Sequence, residues 1–170
     1  MPLLFMATKS LVSVEEYLNT SYRPDCDYVD GVLVERNVGQ FDHGRLQAMI
    51  AAYYVNRRKQ WRIHVSTEQR VQVSPTRFRI PDVCVTAEEH PQQIFRTPPL
   101  LCIEILSPED RLSAVRQRVM EFLNFGVRYV WIVDPTERKA WRCTADGMHE
   151  VAEFRTENPD TLVPLAELFD

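Results

Sequence analysis

The segment Leu101-Cys102-Ile103-Glu104-Ile105-Leu106 is an apolar run broken at one position by a carboxylate. An apolar stretch of this length reads as a strand buried on both faces of a sheet. A lone carboxylate in its middle is costly, because an unpaired buried charge is strongly destabilising. Glu104 therefore demands compensation from elsewhere in the chain: an arginine, a proton held by a shifted pKa, or a cation. A structural ion pair would meet that demand as well as a catalytic site would.

A second acid stands in a related place. Asp82 follows Pro81 at the head of a short apolar strand, Val83-Cys84-Val85. Taken alone it reads as a turn acid. Taken with Glu104, it suggests two neighbouring strands that each deliver one oxygen ligand to a common point. Mg²⁺ suits such a site, since it takes a few carboxylates and keeps waters.

The rest of the chain alternates helix and strand signals. Ser13 and Glu16 form a capping box ahead of a short helix through Leu18, which Pro24-Asp25 ends. Asp30-Gly31, between the apolar stretches Tyr28-Val29 and Val32-Leu33-Val34, predicts a hairpin. Asp42 opens a helix from about His43 to Arg58, with Leu46, Met49, Ile50, Tyr53 and Tyr54 at helical spacing. Trp61–Val65 and Glu68–Val73 read as strands. Ser107-Pro108 is expected to start a helix reaching Phe125, with Leu112, Val115, Val119, Phe122 and Leu123 as its core stripe and Gly126 as its C-cap. Tyr129–Val133 and Ala140–Cys143 follow as strands, and the tail from Leu162 to Phe169 reads as a turn with one short helix. The expected fold is α/β with a mixed sheet.

Composition bounds the possibilities. The 170 residues suit one domain, with a core large enough to fold without disulfides. Cys26, Cys84, Cys102 and Cys143 form no paired motif and read as reduced, buried thiols of a cytoplasmic protein. The net charge of −4 argues against a nucleic-acid coat while leaving room for a local basic patch. Arg57-Arg58-Lys59 is one candidate patch, although basic residues at a helix C-terminus are favoured by the dipole in any case. No apolar run is long enough to cross a membrane. Residues 1–12 are expected to be an N-terminal segment, disordered at least in part, with Met6 as a second candidate start and residues 13–170 as the domain. Trp131, Trp141 and the Asp30-Gly31 hairpin are candidates for a homodimer interface.

Seven pieces of the sequence, in order and spacing, resemble the Uma2 family of restriction-endonuclease-like proteins, within the PD-(D/E)xK nuclease superfamily. They are Ser13–Leu18, Asp27–Gly31, His43-Gly44, Pro81-Asp82-Val83, Glu104–Pro108, Gly126–Pro135 and Leu165–Phe169. The resemblance implies a restriction endonuclease-like core, a central mixed β-sheet flanked by helices, with an N-terminal helix and hairpin. It implies a Mg²⁺ (or Mn²⁺) site at Asp82 and Glu104, with Glu68 and Asp27 as further acids. Read alone, Glu68 is a solvated strand-start residue and Asp27 a turn acid. The superfamily lysine would fall two residues after the strand acid, on Leu106. In Uma2-like sequences it moves to the following helix, four residues before an aromatic, and that position is Arg118, four before Phe122. The acid expected four residues earlier is Ala114. Arginine can hold a phosphate in bidentate fashion but cannot readily serve as a general base. Arg118 also reads as a boundary residue that pairs with Glu104. His43 reads as part of a helix start and as a candidate phosphate contact. The expected activity is metal-dependent hydrolysis of DNA, and the alternative is a catalytically impaired nuclease-fold module that binds DNA or protein.

Overall fold

Period-two alternation decides which way each central strand faces. In the computed structural model, which describes residues 10–37, 39–87 and 92–169, the elements run α1 (Val14–Asn19), β1 (Cys26–Val29), β2 (Val32–Glu35), α2 (Phe41–Trp61), β3 (His64–Thr67), β4 (Val71–Ser74), β5 (Arg77–Arg79), β6 (Val83–Thr86), β7 (Leu101–Ile105), α3 (Leu112–Phe125), β8 (Tyr129–Asp134), β9 (Lys139–Thr144), β10 (Gly147–Val151), β11 (Glu153–Thr156) and β12 (Thr161–Pro164), then a 3₁₀ turn at Leu165–Leu168.

The central six-stranded sheet has the order β10-β9-β8-β7-β6-β3. Leu101, Ile103 and Ile105 of β7 join Val83, Val85, Trp131 and Val133 under α2, which contributes Leu46, Ile50 and Tyr54. Cys102, Cys84, Val130 and Ile132 project to the other face, under Val115, Val119 and Phe122 of α3. The apolar runs of β6, β7 and β8 are continuous because both faces are covered. Glu104 shares the parity of Cys102 and therefore faces α3. The sheet is mixed: β7 pairs antiparallel with β6 and parallel with β8. A parallel pair needs a crossover, and α3 supplies it.

A second sheet, β2-β1-β5-β4, carries the hairpin. Its turn residues Asp30 and Gly31 have φ of 49° and 90°, the left-handed pair that a two-residue hairpin requires. Tyr17, Tyr28 and Phe78 pack α1 on this sheet. Ser13 accepts the Glu16 amide at 3.1 Å, as the capping signal implies. Residues 1–9 of the N-terminal segment lie outside the described residues, while the Val12 amide donates to the Gly31 carbonyl at 2.9 Å. All four cysteines are buried free thiols.

Several sequence expectations are corrected. α2 runs from Phe41 to Trp61, beyond the expected His43–Arg58, so Trp61 ends a helix rather than starting a strand. Arg62 in the left-handed region closes it. Gln40, not Asp42, is its N-cap residue, and no side chain caps it. α3 starts at Leu112 rather than at Ser107-Pro108, because Asp110 accepts the Ser107 amide at 2.8 Å and holds a turn there. Leu112 consequently lies outside the core and is exposed. The tail holds the hairpin β11-β12 as well as the short helix, and Phe154 from it packs on Trp131 with ring centroids 5.0 Å apart. Trp131 is thus buried inside its own chain and withdrawn from any surface. Arg57 and Arg58 donate to the Tyr53 and Val55 carbonyls of their own helix.

Candidate active site

Asp82 sits one residue before β6. The β6–β7 register pairs Val83 with Ile103, so one step further sets Asp82 opposite Glu104. The Ile105 amide donates to Asp82 Oδ2 at 2.7 Å, which ties the head of β6 to the end of β7. Arg36, just past β2, donates from Nη2 to Asp82 Oδ1 at 2.7 Å. His43 and Gln47, one turn apart on α2, point to the same place. His43 Nε2 lies 3.4 Å from Asp82 Oδ2, and Gln47 donates to the Asp82 carbonyl at 2.9 Å.

Glu104 meets α3 across the sheet face. Arg118 Nε donates to its Oε2 at 3.2 Å, and Arg118 Nη2 lies 3.6 Å from Asp110 Oδ1. Asp110 also accepts from Asn37 at 3.2 Å. The other oxygen of Glu104, Oε1, is buried with no hydrogen-bond partner.

The two acids are driven apart electrostatically. Burial pushes the Glu104 carboxyl up to about 7; Arg118 opposes the rise and the Asp82 charge adds to it. Burial works on Asp82 in the same direction, but His43, Arg36 and the Ile105 amide together hold it below the usual carboxylate range. His43 is raised in turn, chiefly by its hydrogen bond to Asp82. Two neighbouring carboxyls with opposed shifts divide into a permanent anion and a group poised between charged and neutral at neutral pH.

These side chains lie in a cleft of about 600 Å³, which Asp27 and Glu68 also line. Asp27 is buried, but its oxygens are engaged by Arg79 at 3.0 Å and by the Ile80 amide at 3.2 Å. Burial raises its carboxyl despite Arg79. Glu68 is exposed, with its backbone in the left-handed region. Among the described residues, no three histidine, cysteine, aspartate or glutamate side chains form a metal-holding group on their own. The structure therefore pairs His43 with Asp82 and Arg118 with Glu104 in one cleft, whose lining also includes Asp27 and Glu68.

A family model described as "Putative restriction endonuclease" matches residues 14–169, nearly the whole chain. The chain belongs to the Uma2 family. The Uma2 chain is also similar in structure to a protein from Anabaena variabilis described as a putative nuclease belonging to DUF820. That match has a TM-score of 0.77 and 20% sequence identity, and covers 93% of this chain and 97% of the other. At that identity the likeness is one of fold. A comparison with curated proteins gives no match.

Sequence reasoning about this Uma2 chain missed Arg36, Gln47 and Asp110. Arg36 carries no local signal, since it lies 46 residues from its partner and is one arginine among many. Asp110 had one in principle: an Asp three residues after a Ser-Pro strand end is a common turn former. Among the described residues, no helix is long and apolar enough to cross a membrane.

Proposed function

We propose that this Uma2 protein is a Mg²⁺-dependent endonuclease that hydrolyses DNA phosphodiester bonds in the cleft. One observation carries the reading: Glu104 Oε1, buried and without a partner, lies on the strand beside an Asp82 held as an anion. An orphaned carboxylate oxygen is rare in a folded protein and asks for a ligand. Mg²⁺ is commonly held through one or two carboxylates with waters completing its shell, so Glu104 and Asp82 suit it without a third acid. Each carboxylate oxygen has two acceptor sites, which leaves Asp82 Oδ1 one beyond the Arg36 bond. A divalent ion there would supply charge at the phosphodiester and lower the pKa of the attacking water.

The protein's own groups have distinct parts in this reading. Arg118, already beside Glu104, offers a planar guanidinium to a phosphate and cannot act as a base. His43, whose charge Asp82 favours, adds a second cationic donor facing the same phosphate. Gln47 and the Ile105 amide hold Asp82 in place from both sides. The test is nicking of supercoiled plasmid with Mg²⁺ or Mn²⁺ by the wild type, Asp82→Ala and Glu104→Ala. The wild type should nick and both variants should not; an Asp82→Ala protein as active as wild type would sink the proposal.

A second reading has its own observation. Both acids already carry a guanidinium, Arg36 on Asp82 and Arg118 on Glu104, which is how a catalytically silent member would neutralise them. Calorimetric titration with Mn²⁺ separates the two. Binding that disappears in Glu104→Ala supports the nuclease, and no binding by the wild type supports the silent module.

A further inference from the structure

Asp82 offers an incoming cation one oxygen, and that oxygen already holds a guanidinium. Oδ2 faces the Ile105 amide at 2.7 Å and His43 Nε2 at 3.4 Å, which account for its two acceptor sites. Oδ1 accepts from Arg36 Nη2 at 2.7 Å. Glu104 differs, since its Oε1 has no partner and its bond to Arg118 runs through Oε2. A cation can therefore meet Glu104 without disturbing Arg118. It can meet the Asp82 carboxylate only beside Arg36.

The two arginines are anchored differently. Arg118 stands within α3 and faces two acids, Glu104 Oε2 at 3.2 Å and Asp110 Oδ1 at 3.6 Å. Arg36 stands just after β2, in the connection to α2, and the ion pair it makes among the described residues is the one with Asp82. Its side chain lines the cleft and is 20% exposed, against 3% for Asp82. A long side chain with one anchor and an open side can turn away without moving a strand or a helix. More than the bonded carboxylate draws it in, since the charges of Asp82, Glu104, Asp27 and Glu68 all favour its own. Those are the acids that would attract a metal ion.

We propose that Arg36 is a built-in competitor of the metal, holding Asp82 Oδ1 in the metal-free protein and yielding it when a divalent cation binds, so that this one residue sets the affinity of the site. The inference rests on the metal-dependent reading above and adds its regulation. Two cations on one oxygen repel each other, and beside a carboxylate this buried water screens them little. A divalent ion carries twice the charge of a guanidinium and also meets Glu104 Oε1, so it can win the oxygen. A monovalent ion has no such advantage in charge. The competition keeps Asp82 compensated in the absence of metal and restricts loading to conditions where the free ion is plentiful. A purely structural clamp makes the opposite prediction, because it would hold Asp82 in the position the metal needs.

The test is calorimetric titration of Mn²⁺, at one ionic strength, into the full-length wild type, Arg36→Gln, Arg36→Met, Arg36→Lys and the double variant Arg36→Gln/Glu104→Ala. Thermal unfolding without metal checks that each protein folds. The two neutral variants should bind Mn²⁺ roughly ten- to a hundredfold more tightly than wild type, and either one decides the question if the other does not fold. Arg36→Lys keeps the charge and should stay close to wild type. The double variant should lose the tight binding, which assigns it to the acid pair. The rise in unfolding midpoint with Mn²⁺ should also be larger in the neutral variants, a readout in which no DNA takes part. Neutral variants that bind Mn²⁺ as wild type does, or more weakly, overturn the proposal, as does tight binding that survives Glu104→Ala. The two readings fail separately. If the wild type binds Mn²⁺ and nicks DNA while neither neutral variant binds more tightly, only the competitor falls. If the neutral variants bind tightly and no protein of the set nicks DNA, the competitor stands and the nuclease falls. Absence of Mn²⁺ binding in every protein overturns both.

Discussion

Glu104 gives one carboxylate oxygen to Arg118 and keeps the other buried without a partner. Burying a half-satisfied carboxylate is destabilising unless a proton or a cation completes it. Completion of Oε1 by a proton or a cation should therefore be visible in stability as well as in activity.

The pH dependence of folding follows from the raised Glu104 carboxyl. Its native pKa is about 7 against an ordinary 4.5, so between those values the native state binds more protons than the unfolded chain. Stability from this group is fully present below about pH 4.5 and is lost as pH rises towards 7 and beyond, by roughly 3 kcal/mol. Urea denaturation from pH 4.5 to 8 should show this decline in wild type, and Glu104→Gln should flatten it.

Arg118 is the counter-charge, so Arg118→Ala leaves Glu104 buried and alone. The variant should lose roughly 3 kcal/mol at pH 8, and the loss should shrink at pH 5, where Glu104 is neutral. Arg118→Lys keeps a cation beside Oε2 and puts a lysine where the family resemblance expects one. It should fold close to normally and nick plasmid at least as fast as wild type in the same assay.

Asp82 is held by the Ile105 amide, Arg36 and His43. Asp82→Ala strands a buried amide and a guanidinium and should cost roughly 2–4 kcal/mol in thermal or urea unfolding. Asp82→Asn retains an acceptor for the Ile105 amide and should cost clearly less. Both should abolish nicking, since neither offers the anion.

A second ionic cluster ties α3 to the hairpin sheet. Glu121 accepts from Arg79 at 2.5 Å and from Arg77 at 2.6 Å, and Arg79 in turn holds Asp27. Glu121→Ala leaves the buried Arg79 with one partner and should destabilise by roughly 2–4 kcal/mol. Asp30 sits at the exposed end of the same chain of charges. Its replacement by Asn, which also tolerates the left-handed backbone of the turn, should leave the unfolding midpoint close to where it was, because solvent screens the charge lost at that end.

What could be read in the sequence was whatever a few neighbouring residues decide. Asp30-Gly31, the Ser13 cap and Gly126 at φ 110° each fix their own backbone, and each is where the sequence places it. Glu104 and Asp82 were legible because an acid in an apolar strand contradicts its surroundings. β5 was not, since Arg77-Phe78-Arg79 looks solvated until Glu121 and Asp27, distant in sequence, arrive to bury its arginines. β10 was missed for a plainer reason: its residues are largely exposed, so no alternation records the strand. The start of α3 was misplaced because the Asp110 turn overrides the Ser-Pro signal.

The bond from the Ile105 amide to Asp82 Oδ2 has one further consequence. The chemical shift of an amide proton follows the electron density of the oxygen that accepts it. In a ¹H–¹⁵N correlation spectrum, a single backbone peak would therefore register what happens at Asp82: protonation, an arriving cation, or a phosphate drawing His43 away. A titration followed at Ile105 would report the state of the acid pair without a turnover assay and without altering any residue that forms it.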